Sequence, residues 1–226
     1  MTFGQQVLEY YKNLTPPDQL PSDISVMNPY YEESTINIVE KFYKKYYSDN
    51  QERKICFGIN PGRFGAGLTG IPFTDPGQLV KSCGISNEFI KKTELSSAFI
   101  YKMIDDYGGP CSFYSDYFIS AVSPLGYVKN GINLNYYDIK GYQSIFDDYV
   151  KLQIEQQLKM DINRNKAYSI GKGKNIKYLN YLNERYGFFK EIVPLPHPRW
   201  IMQYQRKKIQ LFINKYLVSF GIDCLP

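Results

Sequence analysis

The chain has 226 residues, a formal net charge of +5, 43% hydrophobic residues and 16% aromatic ones. That length suits one α/β domain with a sizeable core, and no stretch approaches the eighteen or so consecutive apolar residues that a membrane span needs. A mild basic excess permits a phosphate-rich partner without requiring one.

The amino-terminal MTFGQQVLEYYKNL lacks a basic segment followed by an apolar one, so an intracellular, cytoplasmic protein is expected. LTPPDQLPSD (14–23) reads as a loop by its three prolines. Ile38, Val39, Phe42, Tyr43 and Tyr46 recur at helical spacing. Strands are predicted at KICFGI (54–59), DYFISAV (116–122), AYSIG (167–171) and KEIVPL (190–195), and helices near 87–107, 143–160 and 174–186. A last helix follows from Ile209, Phe212, Ile213, Tyr216 and Phe220. Cys56, Cys83, Cys111 and Cys224 fit no zinc or iron–sulfur spacing and are expected as free buried thiols, so no metal is expected. Short strands alternating with amphipathic helices predict an α/β fold, three layers α/β/α around a central, mainly parallel four-stranded sheet. The expectation is one domain over 1–226, with residues 1–30 as a helical and proline-rich extension.

In an open parallel sheet, ligands sit at the carboxyl ends of the strands. That rule brings together GINPGRFGAGLTGIPF (58–73), SPLGY (123–127) and PLPHPRW (194–200). The first segment holds five glycines, which let backbone approach a partner closely. His197, the one histidine of the chain, lies between two prolines that restrict its direction. Asn60 is the matching candidate on the first loop, although an Asn-Pro-Gly asparagine equally suits a turn that bonds its own backbone. Neither loop supplies a serine elbow, a cysteine nucleophile beside its histidine, or paired carboxylates. An Asn and a His without an acid suit a reaction in which the Asn holds a water and the His stabilises charge on a departing group.

The sixteen residues 58–73 resemble, without a gap, the first motif of the uracil-DNA glycosylase superfamily, single-strand-selective monofunctional (SMUG) type. VMNPYYE (26–32), SPLGYVKNGINL (123–134) and IGKGK (170–174) extend the resemblance over residues 26 to 217. HPRW (197–200) resembles the second motif in shortened form. The resemblance implies a monofunctional DNA glycosylase of base-excision repair, without lyase activity, that flips uracil or a related deaminated base such as xanthine or hypoxanthine out of DNA. Asn60 would orient the attacking water and His197 would donate to the base carbonyl. Phe73 would stack on the base, though ordinary core packing is the alternative for that ring. Gly62 would let the loop close over the base edge. Where the family carries a base-reading Asn this chain has Ala121, and Asn133 or backbone groups are the substitutes available.

For DNA, the resemblance implies a wedge after His197, with Arg199, Trp200, Ile201 and Met202 as candidates. Arg206, Lys207, Lys208, Lys172 and Lys174 are candidate phosphate contacts. DNA is the expected partner, no membrane and no cofactor are expected, and a monomer suffices. The alternatives are a mismatch-specific uracil/thymine-type glycosylase, whose first motif also reads G-I-N-P-G, and a noncatalytic nucleic-acid-binding relative.

Overall fold

The computed structural model describes residues 1–90 and 92–222, so Cys224 lies outside the described residues. In chain order the elements are α1 (Phe3–Lys12), β1 (Ser25–Met27), α2 (Glu33–Tyr46), β2 (Lys54–Gly58), α3 (Ala66–Thr69), α4 (Pro76–Lys81), α5 (Leu95–Tyr107) and α6 (Pro110–Asp116). They continue as β3 (Tyr117–Ala121), β4 (Gly126–Lys129), β5 (Ile132–Leu134), α7 (Tyr142–Gln157), β6 (Lys166–Ile170), α8 (Lys174–Tyr186), β7 (Glu191–Leu195), α9 (Pro198–Tyr204) and α10 (Ile209–Phe220).

A four-stranded parallel sheet runs in the order β3-β2-β6-β7 and is flanked by helices, which gives the three-layer α/β architecture. β2 and β3 are almost continuously apolar because strands covered on both faces must bury both sets of side chains. β7 tolerates Pro194 because it pairs with β6 alone and its far edge needs no donor. Register pairs Gly58 with Ala121 and Ile170 with Leu195, which brings the carboxyl ends of the strands level. The chain leaves β2 toward one edge and β6 toward the other, so a crevice opens between their carboxyl ends.

A second, three-stranded antiparallel sheet, β1-β4-β5, was not expected. Its hairpin turns at Asn130-Gly131, both with positive φ, the conformation a two-residue hairpin loop demands. The predicted helix at 87–107 begins only at Leu95. Asn87 instead donates to the carbonyl of Pro76 and accepts from the N–H of Phe89, which holds the preceding segment as a loop.

α1 opens with a capping box between Thr2 and Gln5 and buries Phe3 and Val7 completely. Tyr11 at its end stacks on Tyr30 with ring centroids 4.3 Å apart. Cys56 and Cys83 are buried free thiols. Cys111 is exposed, contrary to expectation, because α6 presents it on the solvent side. No helix among the described residues is long and apolar enough to cross a membrane.

Candidate active site

The loop after β2 carries Asn60 into the crevice and the small sheet fixes its amide. Its Oδ1 accepts from the backbone N–H of Tyr136 at 3.0 Å, and its Nδ2 donates to the carbonyl of Leu134 at 3.0 Å. A weaker local bond reaches Pro61 O at 3.3 Å. The two shorter bonds cross to the end of β5 and the residue two beyond it, so the side chain is clamped by distant backbone and is more than a self-bonded turn residue. Both amide hydrogens are used. The oxygen keeps a second lone pair, an acceptor of fixed direction.

Phe73 closes the same glycine-rich segment with φ at 53°, a left-handed conformation unusual for a bulky residue. Strain of this kind costs on the order of 1–3 kcal/mol and persists where surrounding bonds over-determine it. Here Thr69 Oγ1 donates to Thr74 O at 2.7 Å, and Asp75 N donates to Ser97 Oγ at 3.1 Å. The ring lies against Gly58, where a Cβ would stand 2.9 Å from its edge. Glycine at the end of β2 is therefore what allows an aromatic face to line the crevice floor.

His197 caps α9. Its Nδ1 accepts from the backbone N–H of Arg199 at 3.2 Å, which requires an unprotonated Nδ1 and leaves the ring proton on Nε2. Burial, with the Arg199 cation adding to it, lowers its pKa to about 4. At neutral pH the ring is thus an uncharged donor, 6.2 Å from the Phe73 ring between centroids. Tyr216 braces it from below by donating to the carbonyl of Pro196.

Two connected spaces result. An inner cavity is lined by Asn60, Gly62, Phe73, Ala121 and Pro124, with Tyr11 and Tyr30 at its back. An outer cleft adds Asn133, His197, Arg199, Trp200 and Tyr204. The three segments expected to converge do so. Ala121 is in the inner cavity, whereas Asn133 stands at the rim, its Nδ2 3.3 Å from where a Cβ on Gly62 would be.

An acid is present after all. Glu94, at the start of α5, lines both spaces, and burial followed by the nearby Asp75 charge raises its pKa to about 7, with Arg199 opposing. Sequence reasoning missed it because it is remote in the chain and sits in a polar stretch. The exposed Tyr204 and the tyrosines of the cavity wall were missed likewise.

Around the mouth, Arg199 and Trp200 are exposed, and Trp200 meets Phe212 edge-on at 5.7 Å. Ile201 and Met202 are corrected as wedge candidates: consecutive residues of α9 point to different sides, and these two are buried. Arg206, Lys207 and Lys208 form an exposed turn between α9 and α10. Lys172 is exposed beside His197 in a neighbouring groove, whereas Lys174 is tied to Asp138 at 3.1 Å.

No curated protein matches the chain significantly. The crystal structure of wild-type Pedobacter heparinus SMUG2 superposes with a TM-score of 0.95 at 44% identity, covering 98% of this chain and 97% of that one. The model of the uracil DNA glycosylase superfamily matches residues 44–220, and the chain belongs to that superfamily.

Proposed function

We propose that the protein hydrolyses uracil from DNA as a monofunctional glycosylase, working as a monomer on a flipped nucleotide. The observation that carries the reading is the meeting, in one cleft lined by Phe73, of a backbone-clamped Asn60 with a neutral His197 whose Nε2–H is its donor edge. Uracil stacked on Phe73 would gain about 1–3 kcal/mol. The free lone pair on Asn60 Oδ1 would hold a water for attack on the sugar's anomeric carbon. As the N-glycosidic bond breaks, its electron pair stays on the base, and His197 Nε2–H donates to the carbonyl oxygen where negative charge gathers. The water oxygen bonds to the sugar and its proton leaves, ending on the base or in solvent. Neutral imidazole suits this role because it stabilises the anion without surrendering a proton.

A lyase step needs an amine that attacks the sugar, and among the described residues no lysine lines the cavity or the outer cleft. Every group invoked comes from one chain. The test is a uracil oligonucleotide incubated with enzyme and then split in two. Strand breaks should appear only after alkali, and borohydride should trap no protein–DNA adduct. Breaks without alkali, or a trapped adduct, would overturn the monofunctional reading.

A further inference from the structure

Resting on the glycosylase reading, we infer that the Glu94 side chain reads the base, supplying the pair of hydrogen-bonding groups that Ala121 cannot. Glu94 and Ala121 line the same inner cavity with Asn60 and Phe73. Glu94 occupies the N-cap position of α5, yet its side chain makes no cap bond. Its backbone is held from both sides, the N–H by Asp75 Oδ2 at 3.0 Å and the carbonyl by Ala98 N at 3.0 Å, while among the described residues the carboxyl makes no hydrogen bond and lines the cavity. The glycine-rich loop makes the room: a Cβ on Gly65 would stand 2.0 Å from Glu94 Oε2, and one on Gly62 would stand 3.4 Å from Oε1. Those glycines therefore admit the carboxyl as well as the base.

Uracil presents a carbonyl that needs a donor beside an N–H that needs an acceptor. A protonated carboxylic acid offers O–H beside C=O, the same pair as a side-chain amide, whereas a carboxylate offers acceptors only. The charged groups acting on Glu94 are Asp75 at the start of α4 and Arg199 on α9, and His197 across the cleft is neutral. Burial and Asp75 prevail, so the acid form persists up to about pH 7. The carboxyl would read uracil below that pH and lose its donor above it.

The experiment compares the parent, Glu94→Gln and Glu94→Ala in single turnover on a single-stranded uracil oligonucleotide across neutral pH, with thermal melts of each. The parent rate should fall through a titration near pH 7. Glu94→Gln, which keeps donor and acceptor at every pH, should recover most of the rate and lose that limb. Glu94→Ala should be about tenfold slower or worse at low pH, the scale of a lost hydrogen bond or two, without a matching loss of melting temperature. A Gln variant as slow as Ala would mean that Glu94 acts as a base or as scaffold, and would overturn the inference. So would an Ala variant that matches an active parent. A parent that releases no uracil would instead remove the glycosylase reading on which the inference rests.

Discussion

His197 joins three properties that usually compete: it is half-buried, it is uncharged, and its donor edge is fixed by a backbone bond to the other nitrogen. His197→Ala should therefore keep the fold and slow single-turnover chemistry about 10²- to 10³-fold, the range seen when one oxyanion donor is deleted. The same burial makes a stability prediction. The folded pKa of about 4 lies below the ordinary value of 6.5, so as pH falls the unfolded chain takes up a proton that the folded one refuses. The contribution of His197 is complete above pH 6.5 and is lost progressively down to about 4. Urea unfolding at pH 7 and pH 5 should show a larger loss in the parent than in His197→Ala. Ala121 makes the complementary case: in a Glu94→Ala background, Ala121→Asn should restore much of the lost uracil activity by placing an amide in the same cavity, and no recovery would show that the two positions address different edges of the base.

At the level of elements, the short helix α4 and the start of α5 act as one support. Asp75 is buried, caps α4 through Oδ1 to Gln78 N at 2.9 Å, and holds Glu94 N through Oδ2. Asp75→Ala should cost about 0.5–2 kcal/mol for the cap alone, measurable by denaturant unfolding, and, by removing a negative charge that favours the Glu94 acid form, should shift the high-pH limb to lower pH. Elements differ in how openly the sequence announces them. The parallel strands were legible because burial on both faces leaves unbroken apolar runs such as YFISA. The small sheet was not, because its strands are three or four residues long and half exposed, although Asn130-Gly131 carried the hairpin signal. Asn60 and His197 were picked out by their positions after strands. Glu94 could not be, since its chemistry arises from Asp75, Gly62 and Gly65 meeting it in space. Ile201 was misread because a run of four candidates on one helix must turn some of them inward.

Over the whole molecule, charge and exposed aromatic surface gather near one mouth, with Arg199 and Trp200 at the cleft and Arg206, Lys207 and Lys208 on the following turn. If the three basic residues of that turn each meet a phosphate of single-stranded DNA, replacing them with Ser should lower the slope of log affinity against log salt by about 2 units, near 0.7 per contact. Fluorescence anisotropy at several salt concentrations measures this, and the single-turnover rate at saturating enzyme should stay close to the parent's. An unchanged slope would place the DNA path elsewhere. The clamp on Asn60 has a consequence in time. Its amide is aligned by Leu134, which ends the hairpin, and by Tyr136 just after it, although it belongs to a loop of the large sheet. A chain that had completed the large sheet alone would have an unaligned Asn60 and would be silent toward DNA. During refolding, catalytic competence should emerge only with docking of the hairpin, so that an immature molecule cannot cut bases from a genome it is not yet shaped to read.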